Sequence, residues 1–423
     1  MKKRYKILLS ILLIISLLSM SSCYLSDLGL DFSGISGDKD SSDAPEGDTY
    51  INVEGGDNLN ITINSNDQSN ILSASKALLS SVSVYSVFRT NLTSFGMPTG
   101  ETKKYATAGS GVIYKLDKNA GDAYIITNHH VVYDIKANTK NHISDDITVY
   151  LYGQQLPDYE IKATYVGGSM TYDLAVLKVD ASPILMASSA VAADFANSDE
   201  VSVLDTAIAI GNPEGKGISA TVGYVNVESE HITMLGVDNK TQVKYRVMRV
   251  DTAVNSGNSG GGLFNSSGKL IGIVNAKVVV SDIDNIGYAI PSNIVQGVCD
   301  GIIYYCDGTD NEYAYKCELG IEVISISSKA HYNTETGKVH IVEDVAIDKF
   351  TQPDLVRDKL QKNDIIKSIT IDGIEYGVSR VYNVIDAMLN ARVGSEVVIS
   401  IVRGDKELDL VIPIVDKMLT ECK

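Results

Sequence analysis

Apolar and polar residues alternate in many short runs between about residues 74 and 292. Runs such as "AYIITN", "LAVLKV" and "KLIGIVNA" are rich in β-branched residues and are bounded by Gly, Asn and Asp, which is typical of strands. A helical period interrupts them only near residues 293–305. Repeated short strands over such a length favour a pair of barrels or sandwiches over a fold that alternates strands with helices.

The region from about 318 to 417 has a different pattern and is predicted to be a separate unit. "DIIKSITIDGIEY" predicts two strands joined by a tight Asp-Gly turn. "SRVYNVIDAMLNARVG" has the apolar spacing of an amphipathic helix, over 379–389, that ends at glycine. "EVVISIVRGDKELDLVIPI" predicts a terminal hairpin.

The first residues are typical of a targeting segment followed by an acidic tether. "MKKRYK" is basic, and the apolar run after it is too short for a comfortable membrane span. Residues 24–70 hold ten acidic side chains and one lysine, with too few apolar groups to offset the entropy of ordering. "YINVEGGDNLNITINSN" alternates on both sides of its glycine pair and predicts a small hairpin. We therefore interpret 23–73 as a flexible tether with a possible hairpin.

Length, charge and cysteine usage narrow the class of protein. The 423 residues have room for two or three domains, and the net charge of −17 argues against nucleic acid as a partner. No cysteine spacing indicates zinc, and nothing resembles a phosphate-binding loop. We predict no metal and no cofactor. Cys299 and Cys306 lie in the predicted helix, too far apart to bridge, whereas a Cys306–Cys317 disulfide stays open.

Residues suited to nucleophilic catalysis stand in three separate motifs. A serine nucleophile needs a base, a group that orients the base, and donors for the oxyanion. "TNHHVV" supplies His129 and His130, "TYDLAVLKV" places Asp173 at the head of a strand, and "NSGNSGGGLF" surrounds Ser259 with glycines. Taken singly, each motif also fits a structural role: a histidine at a strand end, an aspartate at a strand start, or a serine in a solvated turn.

Six motifs occur together in the order and approximate spacing of the HtrA/Deg family of trypsin-like serine proteases, which the chain resembles over about residues 74–300. They are "GSGVIY", "TNHHVV", "DLAVLKV", "AIGNPEGKG", "GNSGG" and "GYAIPSNIV". The order His, Asp, Ser is the chymotrypsin order. The resemblance implies a mainly β fold: a chymotrypsin/trypsin-like double β-barrel protease domain at 74–300, followed by a small α+β PDZ-like domain at 318–417.

The resemblance also assigns the catalytic roles. His130 is the general base and acid, Asp173 orients it, and Ser259 is the nucleophile. His129 stands where the family commonly has asparagine; we expect it to cap or pack, with the base as its alternative role. The backbone N–H groups of Gly257 and Ser259 form the oxyanion hole, because glycine lets the chain aim two donors at one point.

The glycine-rich loop departs from the family at two positions. The family often has proline where this chain has Ser256 and again where it has Gly262. Each missing proline leaves the unfolded chain more conformational freedom. We therefore expect a softer catalytic loop.

The predicted specificity pocket carries no acidic residue at its base. Six places before the nucleophile stands Ala253, with Val254 beside it. We expect the walls to include the backbone of Asn275, Ala276, Lys277, Gly287 and Tyr288. This predicts cleavage after small or medium aliphatic residues.

In the PDZ-like region, "LGI" matches the loop whose backbone N–H groups hold the terminal carboxylate of a peptide. Its residues are Leu319, Gly320 and Ile321. A peptide C-terminus would add as a strand between that edge and the helix 379–389. A spacer domain with a blocked groove is the alternative.

The residues "MSSC" before Cys23 resemble a bacterial lipoprotein signal, with Met20 in place of the usual leucine. The resemblance implies that 1–22 are removed and that Cys23 is lipidated; an uncleaved N-terminal anchor is the alternative. Either arrangement places the chain outside the cytoplasm, at a membrane.

The sequence therefore predicts a membrane-tethered, extracytoplasmic serine endopeptidase that cleaves unfolded or damaged proteins. A non-cleaving peptide-binding protein or holdase is the rival function. The family typically forms homotrimers, and the sequence does not identify the aromatic contacts that would build one here.

Overall fold

The protein is described by a computed structural model over residues 48–51, 61–64, 74–94, 97–276 and 286–422. It divides into two units, Met1–Ser65 and Asn66–Lys423. In the first, β1 (Asp48–Ile51) and β2 (Ile61–Asn64) pair in antiparallel register, as the predicted hairpin requires. The signal segment 1–22, Cys23 and the rest of the tether lie outside the described residues.

Six antiparallel strands close the first barrel of the second unit, in the order β3-β4-β5-β8-β7-β6. Alternate side chains along the strands, among them Val82, Ile125 and Leu177, are buried in its interior, as the period of two predicts. The strands are β3 (Ser81–Ser94), β4 (Met97–Asp117), β5 (Asp122–Thr127), β6 (Asp146–Leu151), β7 (Ile161–Ser169) and β8 (Leu174–Val179).

Six further strands close the second barrel, in the order β10-β11-β14-β13-β12-β9. They are β9 (Thr206–Gly211), β10 (Ser219–Leu235), β11 (Gln242–Val250), β12 (Gly262–Phe264), β13 (Leu270–Val274) and β14 (Gly287–Pro291). The predicted double β-barrel is confirmed. Some strands are longer than predicted: β4 has 21 residues and β10 has 17.

Within the described ranges, the helices beside the barrels include α1 (His129–Val132), α2 (Pro183–Ala187) and α3 (Ser292–Cys306). The last of these is the helix predicted near 293–305. Its buried residues Ile294, Val298 and Ile302 recur every fourth position and pack into the barrel core. Nowhere in the described ranges is a helix long and apolar enough to cross a membrane.

A six-stranded sheet with the order β16-β17-β18-β20-β21 follows the barrels, and β19 pairs with β18. The strands and helices of this C-terminal region are β15 (Tyr315–Cys317), β16 (Ile321–Asn333), β17 (Lys338–Phe350), α4 (Pro353–Val356), β18 (Ile365–Ile371), β19 (Ile374–Gly377), α5 (Val381–Met388), β20 (Glu396–Arg403), β21 (Lys406–Pro413) and β22 (Leu419–Glu421).

Two details of this region differ from the sequence prediction. Helix α5 (Val381–Met388) lies within the predicted range 379–389 but stops before the glycine expected to end it, in a turn where the guanidinium of Arg392 donates to the carbonyl oxygens of Leu389 and Ala391. The hairpin of β20 and β21 is also not terminal, because β22 follows it and pairs with β15.

Cysteine thiols in the described residues are unbridged. Cys299, Cys306, Cys317 and Cys422 are all free and buried. The Cys306–Cys317 disulfide that the sequence left open is therefore not formed. Burial raises the pKa of Cys306 to about 12, so this thiol is held as the unreactive protonated form.

The C-terminal region is attached to the second barrel by a buried ion pair. Arg246 of β11 is 3% exposed; its guanidinium contacts the carboxylate of Asp386 on α5 and lies 3.3 Å from that of Asp199. The ring of Tyr382 stacks on the same guanidinium, 3.9 Å from its carbon. A buried charge is tolerated when it is paired in this way. Because Asp386 and Tyr382 both belong to α5, the burial of Arg246 requires α5 to be in place.

Candidate active site

Asp173 occupies the turn directly before β8. Its φ is 53°, in the left-handed region that aspartate tolerates better than most residues. The side chain is buried, and its main-chain oxygen accepts hydrogen bonds from the Asn128 side chain at 2.8 Å and from the His129 N–H at 3.2 Å. The segment after β5 therefore holds the aspartate by its backbone as well as by its carboxylate.

Both carboxylate oxygens of Asp173 bind His130. Nδ1 of the ring is 2.7 Å from Oδ2, and the backbone N–H donates to Oδ1 at 3.0 Å. An imidazole that donates from Nδ1 leaves Nε2 as its acceptor. The His130 side chain is 22% exposed, so the structure brings these two predicted residues together with one edge of the ring open to a ligand.

His129 lies in a different environment. Its side chain is fully buried and stacks on the ring of Tyr165, with 6.0 Å between the ring centroids. The rings of Tyr133 and Tyr313 contact it edge-on, with centroid distances of 5.4 Å and 6.4 Å. A ring enclosed by three tyrosines has no access to a substrate. The geometry favours the packing role over the alternative of a general base.

The loop that carries Ser259 is fastened to the first barrel through Ser110. The Ser110 N–H donates to the Ser259 carbonyl at 2.8 Å. The Ser110 hydroxyl donates to the Gly257 carbonyl at 2.7 Å and accepts from the Asn212 N–H, also at 2.7 Å. Between the described side chains of Ser259 and His130 there is no direct hydrogen bond, a contact that in unliganded enzymes often tightens only with substrate.

Two glycines of this loop occupy positions where a side chain does not fit. Gly257 has a φ of 97°, and a Cβ there would lie 2.2 Å from the Asn212 carbonyl oxygen. Gly260 has a φ of 83°, and its Cβ would lie 2.3 Å from the Ser110 carbonyl oxygen. Glycine is needed at both because the backbone is left-handed and the neighbouring atoms are main chain.

The backbone N–H groups of the loop fall into two sets. Those of Asn258, Gly260 and Gly261 donate to backbone carbonyls at 2.9 to 3.0 Å. Within the part of the chain that the structure describes, those of Gly257 and Ser259 have no protein acceptor. These are the two donors predicted to bind an oxyanion.

The structure describes most of the residues predicted to form the specificity pocket. Ala253 is exposed and Ala276 half-buried, while Val254 packs against Gly287. The prediction for Lys277 falls outside the described residues. The backbone of Asn275 donates to the carbonyl of Tyr288 at 2.8 Å, whereas its side chain is directed elsewhere.

The side chain of Asn275 points at the aspartate and was not foreseen in that role. Its Nδ2 is 3.0 Å from Asp173 Oδ2 and 3.0 Å from the hydroxyl of Tyr245. Ser110 and Asn212 were also missed as supports of the serine loop. A signal existed for these two, because they stand inside the motifs "GSGVIY" and "AIGNPEGKG"; no local signal marks Tyr245.

Chemically, the arrangement combines a histidine held by a buried carboxylate, a serine hydroxyl on a loop fastened to the first barrel, and two N–H groups without a protein acceptor among the described residues. Such a set suits acyl transfer through a tetrahedral oxyanion. No group of three or more metal-binding side chains occurs among the described residues.

The predicted peptide loop lines a cavity of about 200 Å³ at the open edge of the C-terminal sheet. Gly320 has a φ of 65°, and its carbonyl accepts the N–H groups of Thr351 and Gln352. The opposite wall comes from α5, through Val384, Ile385 and Met388. The structure therefore places the loop and the helix on two sides of one apolar groove.

Comparison with known proteins relates the barrel region to peptidases. Residues 109–273 match the trypsin-like peptidase domain family. The chain is 33% identical over 229 residues to the serine protease Do-like HtrA of Lactococcus lactis subsp. cremoris (strain MG1363), covering 52% of this chain and 50% of that protein. It is 34% identical over 219 residues to the serine protease Do-like HtrA of Bacillus subtilis (strain 168), covering 51% and 44%. The chain thus spans about half the length of these relatives.

Solved structures with a similar chain trace include the HtrA-type protease AlgW with tripeptide. Its TM-score is 0.48 at 23% identity, covering 83% of this chain and 97% of that one. The serine endoprotease from Yersinia pestis gives a TM-score of 0.42 at 22% identity, with coverages of 83% and 97%.

Proposed function

We propose that the protein is a serine endopeptidase. Its residues 109–273 match the trypsin-like peptidase domain family, and about half of the chain is similar to HtrA serine proteases. His130, oriented by Asp173, would remove the proton of Ser259 as the hydroxyl attacks the peptide carbonyl. The N–H groups of Gly257 and Ser259 would bind the oxyanion, and His130 would then protonate the leaving amine. Unfolded or damaged proteins are the proposed substrates.

The main observation behind this proposal is that one buried carboxylate, that of Asp173, binds His130 through two hydrogen bonds. Asp173 binds the ring at 2.7 Å and the backbone N–H at 3.0 Å. Burying a carboxylate costs free energy, and that cost is high for a contact that only holds one partly exposed imidazole in place. This contact is what a general base requires, because the bond fixes both the tautomer and the direction of the ring.

Digestion of casein by the full chain tests the function, with Ser259→Ala as the comparison. Cleavage that depends on Ser259 supports the endopeptidase. The rival function, a holdase that binds apolar segments, predicts that casein is bound and left intact by both proteins.

We also propose that the groove between the "LGI" loop and α5 binds peptides with free C-termini, as in a PDZ domain. Within the described residues the N–H groups of Leu319 and Gly320 have no protein acceptor, which leaves them available to a carboxylate. Strand β16 lies at the edge of its sheet, so an added strand has a partner. The apolar side chains of α5 would select an apolar final residue.

In the full chain carrying Ser259→Ala, which prevents cleavage, we expect an apolar peptide with a free C-terminus to bind more tightly than its amidated form. The difference should be about tenfold, because a charge-assisted hydrogen bond to the loop is lost. Calorimetry with both peptides measures it.

Gly320→Ala should abolish the difference between the peptides, since its Cβ would lie 2.7 Å from Gln352. Gly373→Ala is the matched control, because Gly373 also has positive φ but has open space around it. Equal binding of free and amidated peptides by the Ser259→Ala chain would contradict the carboxylate role.

For localisation we propose lipidation of Cys23, which would tether the chain to the outer side of a membrane. The support is the sequence: a basic start, a short apolar run and small residues before the cysteine. We expect a palmitate analogue to be incorporated in cells and to be lost in Cys23→Ser. Label that persists in Cys23→Ser would contradict the proposal; Cys422→Ser is the control, and should leave labelling unchanged.

A further inference from the structure

The amide of Asn275 lies between two oxygens and approaches both with the same atom. Its Nδ2 is 3.0 Å from Asp173 Oδ2 and 3.0 Å from the Tyr245 hydroxyl. An amide nitrogen carries two protons, so each oxygen can accept one of them. The nitrogen of Asn275, and not its oxygen, is thereby turned toward the carboxylate.

Tyr245 is arranged to act as an acceptor for this amide. It lies on β11, is 3% exposed, and its hydroxyl donates to Met234 Sδ at 3.5 Å. Because the single hydroxyl proton is directed at the sulfur, the oxygen lone pairs face Asn275. Burial, and after it the charge of Asp173, raises the pKa of Tyr245, so the hydroxyl keeps its proton.

The three hydrogen bonds diverge from Asn275, which donates to Asp173 on one side and to Tyr245 on the other, and Tyr245 donates in turn to Met234. The proton of Tyr245 points to Met234, one proton of Asn275 points to Tyr245, and the other points to Asp173. The oxygen that receives the last of these, Oδ2, is also the one that binds the His130 ring. Met234 and Tyr245 are grouped with Asp173 around one tightly packed site.

We propose that Tyr245 is a positioning residue for catalysis, which acts by fixing the Asn275 amide so that it donates to the carboxylate holding His130. The inference rests on the proposed endopeptidase function. Without the hydroxyl, one buried N–H of Asn275 loses its acceptor. The amide then loses one of the two bonds that set the direction of Nδ2, and its donation to the carboxylate of Asp173 is less precisely aligned.

Tyr245→Phe in the full chain tests the proposal. We expect kcat to fall about tenfold, the rate equivalent of one hydrogen bond to a charged group. KM should stay unchanged, because the tyrosine faces the buried side of Asp173. Tyr114→Phe is the matched control: Tyr114 is also a buried barrel tyrosine, 8% exposed, but its ring packs against Phe195, with 5.3 Å between the ring centroids. It should keep the wild-type kcat.

A double-mutant cycle separates positioning from general stabilisation. If Tyr245 acts through Asn275, the double variant Tyr245→Phe/Asn275→Ala should have the same kcat as Asn275→Ala alone. Losses that multiply instead would show that the tyrosine acts independently, and would overturn the proposal.

A second variant leaves the tyrosine in place, and so remains informative if Tyr245→Phe folds poorly. Met234→Leu removes the weak sulfur acceptor at nearly constant volume, and the hydroxyl proton is then free to turn toward Asn275. We expect kcat to fall about twofold at constant KM; an unchanged kcat would contradict the chain of hydrogen bonds.

The outcomes also distinguish a failure of the Tyr245 inference from a failure of the proposed endopeptidase function. If the wild-type chain cleaves casein and Tyr245→Phe keeps the wild-type kcat, only the role of Tyr245 is wrong. If the wild-type chain neither cleaves casein nor reacts with a fluorophosphonate, the proposed function fails and the inference fails with it.

Discussion

Ser259→Ala is expected to lower casein cleavage by about a millionfold, which is the scale of triad losses in other serine proteases. The substitution removes the attacking oxygen and little volume. The loop should keep its shape, because its anchors are main-chain groups: the Ser259 carbonyl accepts from the Ser110 N–H, and Gly257 is held through its own carbonyl. The loss is therefore chemical, and the rate of casein hydrolysis measures it.

A fluorophosphonate label provides the matching readout. The wild-type chain should take up one label, mapped to Ser259 by mass spectrometry, and the alanine variant none. Thermal unfolding of the two proteins should agree within a few degrees. Equal casein cleavage by both would contradict the endopeptidase proposal, whatever the label shows.

His130→Ala should match the loss of Ser259→Ala, because base and nucleophile act as a unit and their effects are not additive. His129→Asn is the neighbouring control and should keep most of the activity. It should lower the free energy of unfolding by about 1–2 kcal/mol, since a fully buried ring packed on tyrosines is replaced by a smaller side chain. Casein hydrolysis and denaturant unfolding separate the two effects.

A swap of these outcomes would move the general base by one residue. If His129→Asn abolished cleavage and His130→Ala kept it, the assignment within "TNHHVV" would be wrong. The 2.7 Å bond between His130 and Asp173 would then need another explanation.

The barrels could be predicted from the sequence because most of their strands bury one face, which imposes a period of two on the side chains. The same rule explains what was missed. Strand β16 is exposed along nearly its whole length; only Ile321 and Val323, at its start, pack against the core, so most of the strand has no buried face to impose a period of two. The chain leaves α5 after Met388 and not at the expected glycine, in a turn where the Arg392 guanidinium donates to the Leu389 carbonyl, a contact that the helical pattern does not report.

The residues proposed for catalysis are local features of motifs, whereas the residues that contact them come from distant parts of the sequence. His130, Asp173 and Ser259 each stand in a recognisable stretch. Asn275 meets Asp173 across 102 positions of the chain, and Arg246 meets Asp386 across 140. An arginine on a strand is ordinarily read as a solvent-facing residue, and nothing near it in the sequence reveals its buried partner.

The small sheet of β15 and β22 has a consequence for how the molecule is made. Cys422, next to β22, belongs to the same apolar cluster as the barrel residue Tyr172, and the Cys422 N–H donates to the Ala314 carbonyl at 2.8 Å. Chains emerge from the ribosome with the N-terminal part first. The barrels are therefore synthesised before the segment around Cys422 that packs on their apolar cluster, and this part of the cluster stays uncovered until that segment is made.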